Sequence, residues 1–287
     1  MTKSSISSKS VIKVNGTGTR HVADLLAAEE PLEIRLCFGA ALQRKQQSIS
    51  VTMRTPGNDF ELAIGFLFTE GIIKQIEDIH TIKHCNGLHE NVVKVELKEE
   101  VTVDIGKLER NFYTTSSCGV CGKSSIEAVR TVCRLPHTIN DTLQFSSEII
   151  YSLPAVLRST QAVFENTGGL HGCALFDTSG NLILTREDVG RHNAVDKLIG
   201  AALAQSLLPL DSYLLLLSGR ASFELIQKAW MAGIKLVAAV GAPSSLAVQM
   251  AEEAGMTLIG FLRNKSFNIY SGEHRIIISA YENSYKG

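Results

Sequence analysis

Apolar and polar residues alternate in the first third of the chain, and this alternation predicts β-strands. The predicted strands cover residues 32–38, residues 48–53 and residues 93–97. Between the second and third strands, Asn58 follows a Pro-Gly turn and is expected to cap a helix that ends at Gly71. Residues 24–113 are therefore predicted to form a small, mostly stranded α+β domain. An arm at residues 1–23 precedes it, and its first ten residues are expected to be disordered.

The pattern changes in the second half of the chain. Apolar runs at residues 213–217, 235–240 and 257–262 alternate with stretches of helical periodicity that start near Ser222 and Ser244. Strands of this kind indicate a parallel sheet with helices on both faces. Two shorter runs flank the turn Thr178-Ser179-Gly180-Asn181 and predict a β-hairpin. Residues 114–287 are thus predicted to be an α/β domain that begins with a loop.

That loop carries the first candidate chemistry. Cys118 and Cys121 form a C-x-x-C motif among small residues, and Ser124 with Glu127 predicts that a helix begins directly afterwards. A helix N-terminus and the neighbouring Lys123 should both lower the pKa of a cysteine thiol below its usual ~8.5. The segment is therefore expected to hold reactive sulfur.

The spacing of these cysteines leaves three chemistries open. Cys133 and His137 extend the motif to a loose zinc pattern. A thioredoxin-like redox pair is the second alternative, and sulfur transfer is the third. The remaining cysteines, Cys37, Cys85 and Cys173, are expected to be buried small apolar residues.

A dense group of polar residues, called the polar block below, lies at residues 186–197. Eight of its twelve residues are polar or ionisable, and it follows a Gly-Gly-x-His turn that ends at His171. Such density is more typical of a site than of a surface. His171, Asp188 and His192 are the candidate site residues, and His192 is expected to pair with Asp196 four residues later.

Composition and charge argue against some classes of partner and indicate a cellular compartment. The formal net charge of −1 gives no global attraction to nucleic acid or to an anionic membrane. No apolar run approaches the ~20 residues of a membrane span, and residues 1–10 lack the apolar core of a signal peptide. Six dispersed cysteines in 287 residues fit a reducing compartment. We therefore expect a cytoplasmic protein with no nucleic-acid or membrane partner.

Motifs along nearly the whole chain resemble those of the formate dehydrogenase accessory sulfurtransferase family, FdhD/NarQ. The matching motifs are Thr55-Pro56-Gly57, residues 65–71, Ser-Ser-Cys-Gly-Val-Cys-Gly at 116–122, residues 167–171, the polar block, residues 217–220, residues 240–244, Phe261-Leu262-Arg263 and Phe267-Asn268. The resemblance implies a cytidine-deaminase-like, three-layer αβα fold for the larger domain. It also implies a homodimer.

The resemblance implies a function as well. Family members take persulfide sulfur from a cysteine desulfurase and pass it to the molybdenum or tungsten bis-molybdopterin guanine dinucleotide cofactor, which formate dehydrogenase needs. By this analogy Cys118 holds the persulfide and Cys121 assists. The residues alone do not order the two thiols, because Cys121 lies nearer to Lys123. The alternative is a zinc-binding or redox C-x-x-C protein that acts as a cofactor-binding chaperone without sulfur transfer.

The cofactor would be bound as a substrate, and GDP or GMP would mimic part of it. Two turns that follow apolar strands and open helices offer backbone N–H groups for phosphate. They contribute Ser218, Gly219, Arg220, Gly241 and Ser244. The resemblance adds the segment Phe261, Leu262, Arg263, Asn264, Lys265 and Ser266. No metal site of the protein's own is expected.

Zinc-dependent deamination is the competing function that the implied fold raises. Its signature is H-x-E followed by P-C-x-x-C. In this chain Cys173 stands where the glutamate would follow His171, and no cysteine occurs after residue 173. The sequence therefore argues against a deaminase.

Overall fold

The computed structural model describes residues 4–85, 91–104 and 142–278, and begins with a long hairpin. Strands β1 (Ile6–Asn15) and β2 (Gly18–Ala27) pair antiparallel along their whole length. The expectation of disorder in residues 1–10 is therefore wrong from Ile6 onward. Asn15 explains the error, because its side chain accepts a hydrogen bond from the Thr17 N–H at 3.1 Å and so builds the turn. Asn-Gly at positions 15 and 16 is a hairpin signal that outweighs the polar composition.

The next sheet confirms the three strands predicted for the first domain and adds a fourth. Its strands are β3 (Glu30–Phe38), β4 (Lys45–Arg54), β5 (Ile79–His84) and β6 (Val92–Leu97), in the order β4-β3-β6-β5. Helix α1 (Asp59–Thr69) follows β4. Asn58 occupies its N-cap position, but the expected side-chain cap is wrong. The residue has the left-handed φ of 57°, and its side chain makes no capping hydrogen bond.

A six-stranded sheet forms the centre of the second half. Its strands are β8 (His171–Phe176), β9 (Leu182–Asp188), β10 (Leu214–Leu217), β11 (Leu236–Ala239), β12 (Thr257–Arg263) and β13 (Ser266–Ser271), in the order β13-β12-β11-β10-β8-β9. Only β10, β11 and β12 are mutually parallel, so the prediction of a parallel sheet is confirmed for the centre and wrong for the flanks. The predicted β8–β9 hairpin is confirmed.

Helices cover both faces of this sheet, as the continuous apolar strands predict. They are α2 (Ser147–Thr160), α3 (Ala162–Thr167), α4 (Arg191–Ala204), α5 (Phe223–Met231) and α6 (Ser245–Glu253). On β10, Leu214 and Leu216 belong to the core that α2 closes, whereas Leu215 and Leu217 belong to the core under α4, α5 and α6. A short pair of strands, β7 (Phe145–Ser146) and β14 (Ile276–Ile277), lies beside α2.

Helices α1 and α4 cross at their backbones and join the two sheets. A Cβ on Gly65 would overlap the Asp196 carbonyl oxygen, and a Cβ on Gly200 would overlap the Glu61 carbonyl oxygen. Only glycine permits so close a crossing. The core of the four-stranded sheet consequently continues into the core beneath α4. The domain division at residues 113 and 114 stays a prediction, and β2 spans the predicted boundary between residues 23 and 24.

No helix in the described ranges is long and apolar enough to cross a membrane.

Candidate functional site

The ends of five strands meet at one edge of the six-stranded sheet, called the sheet edge below. Strands β10, β11 and β12 end there, β8 begins there at His171, and β9 ends opposite it at Asp188. The Gly241 N–H donates to the Gly219 carbonyl at 2.9 Å, and the Phe261 N–H donates to the Gly241 carbonyl at 3.0 Å. The fold therefore brings the two predicted turns, the segment at Phe261 and His171 side by side.

Two glycines allow these turns to approach so closely. A Cβ on Gly241 would lie 3.0 Å from the Gly219 carbonyl oxygen, and a Cβ on Gly219 would lie 3.3 Å from His171 Nδ1. Arg220 and Ser244 are exposed beside them. The Ser244 hydroxyl is occupied as the N-cap of α6, where it accepts from the Ala247 N–H at 3.3 Å. The edge thus presents the Arg220 guanidinium to solvent, whereas the Ala221, Gly241 and Ser244 N–H groups bond carbonyls within the two turns.

The predicted segment 261–266 is the end of β12 and the turn into β13. Asn264 and Lys265 both have φ of 53°, the conformation of a type I′ hairpin turn, and the strand β13 that follows was not predicted. Arg263 through Ser266 are exposed, whereas the Leu262 side chain is buried in the core. A ligand at the sheet edge can therefore meet the Arg263, Asn264 and Lys265 side chains but not that of Leu262.

Phe261 is unusual within this segment. Its φ of 56° is left-handed, which is costly for an aromatic residue, and its ring is 37% exposed. The Arg263 guanidinium carbon lies 5.9 Å from the ring centroid. Strained and exposed, Phe261 offers a flat surface for a ring at the end of the sheet edge.

A pocket of about 230 Å³ opens beside the start of α4, and we call it the α4 pocket. It is lined by Glu29, Met53, His171, Val189, Gly190, Arg191 and His192. Burial lowers the pKa of His171, and the positive charges of Arg191, His192 and Arg220 lower it further against the opposing effect of Asp188. Arg191 and Arg220 therefore place positive charge near His171.

Arg191 carries a hydrogen-bond donor beside this pocket that has no partner among the described residues. Within the part of the chain that the structure describes, its Nε–H is buried and has no hydrogen-bond acceptor. Leaving a buried donor unpaired costs roughly 1–3 kcal/mol. Arg191 belongs to the polar block, but nothing in the sequence separated it from its neighbours as a candidate.

His192 pairs with α5 rather than with its own helix. Its Nε2 lies 3.4 Å from Ser222 Oγ and 3.8 Å from Glu224 Oε2. Burial raises the pKa of Glu224, but hydrogen bonds from His192, the backbone and Ser222 outweigh it and lower the pKa to about 2. Both partners approach the same ring nitrogen, so these residues do not form a Ser-His-acid triad, in which the two partners take different nitrogens.

The predicted pairing of His192 with Asp196 is wrong. Asp196 accepts hydrogen bonds from Thr69 Oγ1 at 2.8 Å and from Lys228 Nζ at 2.9 Å, deep between α1, α4 and α5. The i, i+4 rule describes an isolated helix, and here partners on the neighbouring helices take over both side chains.

Asp188 lies beneath the pocket and is fully buried. Its carboxylate accepts from Lys197 Nζ at 2.7 Å, the Gly190 N–H at 2.8 Å, and the Thr55 N–H and Asn193 Nδ2 at 3.1 Å each. These four donors occupy all its lone pairs. Asp188 therefore positions the Gly190 turn and has no capacity left to contact a ligand.

The predicted thiol chemistry falls outside the described residues, because Cys118, Cys121, Cys133 and His137 all lie in 105–141. Of the other cysteines, Cys37 and Cys173 are buried, as expected, and Cys85 is only partly buried. Burial raises the pKa of the Cys173 thiol well above its usual value. Cys173 is thus an inert core residue, although it stands next but one to His171.

With this geometry in hand, comparisons with known proteins decide the family. The model of the FdhD/NarQ family matches residues 27–277. The chain belongs to the FdhD/NarQ family.

Relatives within this family match over almost the full chain. Proteins named "Sulfur carrier protein FdhD" are 51% identical over 280 residues in Streptomyces avermitilis (95% of this chain, 96% of the relative) and 54% identical over 259 residues in Mycolicibacterium paratuberculosis (88% and 92%). The Saccharolobus solfataricus protein of that name is 41% identical over 266 residues (93% and 96%).

A solved structure also shares the fold. A crystal structure from Desulfotalea psychrophila, of a protein named for a formate dehydrogenase accessory role, matches with a TM-score of 0.73 at 23% identity. The match covers 96% of this chain and 100% of that one. At this identity the likeness supports the mixed α/β fold and nothing further.

Proposed function

We propose that this chain is a sulfur carrier. It takes persulfide sulfur from a cysteine desulfurase and transfers it to the molybdenum or tungsten bis-molybdopterin guanine dinucleotide required by formate dehydrogenase. The observation that carries the proposal is the 41–54% identity to proteins named as sulfur carriers. The identity spans nearly the whole chain, and the sequence also holds the paired cysteines such a carrier needs. The homodimer, the cytoplasmic location and the cytidine-deaminase-like fold of the larger domain stay predictions from the family.

Loading is a thiol exchange at Cys118. Its thiolate attacks the outer sulfur of the desulfurase persulfide, the donor's S–S bond breaks, and the donor leaves as a thiolate. The new S–S bond then lies on Cys118. Attack by the Cys121 thiolate on the inner sulfur forms a Cys118–Cys121 disulfide and expels the outer sulfur as sulfide. An external dithiol then reduces this disulfide by thiol–disulfide exchange, itself becoming a disulfide, and restores the two cysteine thiols.

The cofactor is the substrate in this scheme, and its guanine nucleotide part occupies the sheet edge. Backbone groups of the turns at Gly219 and Gly241 pack closely there, and Arg220, Arg263 and Lys265 expose positive charge around them. The exposed Phe261 ring can stack on guanine. Arginine and lysine side chains flanking one edge suit a diphosphate.

The test is an intact-mass measurement after incubation with a cysteine desulfurase and cysteine. The wild-type chain should gain one sulfur that a thiol reductant removes. Cys118→Ala should lose this gain while it keeps the wild-type melting transition, and Cys121→Ala should keep it. Cys85→Ser, outside the motif, is the matched control. Stoichiometric zinc in the purified chain, or no sulfur gain in the wild type, would overturn the proposal in favour of a zinc or redox role. Sulfur loading that persists in Cys118→Ala would place the persulfide on another cysteine.

A further inference from the structure

The α4 pocket is lined by one side chain, Arg191, that the fold leaves partly unpaired among the described residues. Three residues with basic side chains, His171, Arg191 and His192, line a space of about 230 Å³, with Glu29 at its rim. Among the described residues, the Arg191 Nε–H is buried without an acceptor. Helix α4, which is 14 residues long, begins at Arg191 and has no side-chain cap. Donors and positive charge thus converge on one cavity.

We propose that the α4 pocket binds a phosphate group. A tetrahedral dianion supplies several acceptor oxygens at once, so it can satisfy the Arg191 fork and the first N–H groups of α4 together. The proposal rests on the proposed function only for the identity of the molecule that carries the phosphate. The pocket itself can be tested without any sulfur chemistry.

The acidic groups around the pocket leave this positive character in place. Asp188 is neutralised below the pocket by Lys197, and Glu224 pairs with His192 from α5. Glu29 lies at the rim and is exposed to solvent, so its charge is screened by water. A metal cation is disfavoured by Arg191 and by the positive surroundings of His171.

The position of the pocket suggests how it relates to the sheet edge. His171 lines the pocket, and its Nδ1 would lie 3.3 Å from a Cβ on Gly219, so the same residue borders both. The phosphate can therefore come from either of two sources. It is the diphosphate of the guanine nucleotide whose base lies at Phe261, or it is a separate phosphate bound at the same time as that nucleotide.

The test is calorimetric titration of the full chain with inorganic phosphate and, separately, with GDP. Arg191→Gln should weaken phosphate binding by about tenfold or more, because a charge-assisted contact is lost. Arg20→Gln removes the same charge from the distant turn end of the β1–β2 hairpin and should leave the affinity unchanged. Glu29→Gln should strengthen binding about two- to fivefold, since it removes a like charge at the rim. A misfolded variant cannot produce such a gain.

The outcomes separate the sources and the alternatives. Competition between phosphate and GDP assigns the pocket to the nucleotide's diphosphate, and simultaneous binding assigns it to a separate phosphate. Equal weakening in Arg191→Gln and Arg20→Gln, or an unchanged affinity in Arg191→Gln, would overturn the proposal. Wild-type protein that does not bind phosphate at millimolar concentration would overturn it as well. None of these readouts depends on Cys118, so sulfur loading can succeed or fail independently.

Discussion

The polar block contains two regions that differ sharply although they are interleaved in sequence. Asp188, Asn193 and Lys197 are buried, and their polar groups bond one another and the backbone around Thr55. Arg191 and His192 line a pocket, and Arg191 keeps a buried donor without a partner among the described residues. We call the first group the closed network, because its polar groups bond one another. We call the second the open group, because the Arg191 Nε–H has no acceptor among the described residues.

The difference shows that neighbouring residues of one polar block can have different roles. A closed buried network holds its members in one geometry, because releasing any of them leaves another uncompensated. That rigidity fixes the Gly190 turn and the start of α4, since Asp188 accepts the Gly190 N–H. Of the open group, His192 is held by Ser222 and Glu224, and Arg191 alone keeps a donor without an acceptor among the described residues. The density of polar residues in a block therefore does not say which of them the fold holds in a network and which line a pocket.

Breaking the closed network should produce the largest effect. Asp188→Asn removes the charge opposite Lys197, which is 1% exposed, and should lower the free energy of unfolding by roughly 3–5 kcal/mol. Urea unfolding measures this, with the exposed Asp24→Asn as control. Adding Lys197→Met should recover part of the loss. Wild-type stability in Asp188→Asn would contradict the distinction between the two regions.

At the other end of the sheet edge, Arg263→Ala should change binding without changing stability. Arg263 is exposed, and a charge-assisted phosphate contact is worth ~1.5–3 kcal/mol, so GDP affinity should fall by roughly one to two decades. Calorimetry checks this against Arg20→Ala. Sulfur loading of Cys118 should be unaffected. If GDP affinity is unchanged, the nucleotide does not lie at this hairpin.

Glu224 should produce the smallest effect, visible only in acid. Because the folded-state pKa is lowered from 4.5 to about 2, the carboxylate stabilises the fold above pH 4.5. That contribution is lost as the pH falls from about 4.5 to about 2, and it should amount to on the order of 1–2 kcal/mol after solvent screening. Unfolding curves across this range should differ between the wild type and Glu224→Gln, but not between the wild type and the exposed Glu99→Gln. Parallel pH dependence in all three would show that His192 does not stabilise the Glu224 carboxylate.

Much of the fold follows from the sequence because the apolar pattern is strong where both faces of a strand are buried. The strands at 213–217, 235–240 and 257–262 could be predicted within one or two residues. Strand β13 could not, because it is a six-residue edge strand with only Phe267 and Ile269 as its alternating apolar residues, and its turn uses Asn-Lys in place of Asn-Gly. The β1–β2 hairpin was missed because nearly all of it is exposed.

The grouping of the candidate site residues follows from the sequence better than their individual contacts do. The turns at Gly219 and Gly241 meet His171 as strand order at a sheet edge requires, and this follows from the strand–turn–helix pattern. Glu224 could not be found, because its role depends on α5 packing against α4. Leu262 was included with its neighbours, yet strand alternation turns its side chain into the core.

The glycine crossing of α1 and α4 has a consequence for the length of the chain. Gly65 and Gly200 are about 135 residues apart in sequence, and residues 105–141, which carry both motif cysteines, lie between them. The entropy of closing so long a loop depends only on the logarithm of its length, so adding about fifteen residues costs roughly 0.1 kcal/mol. As far as loop closure is concerned, the number of residues between the two glycines can therefore change almost without thermodynamic penalty.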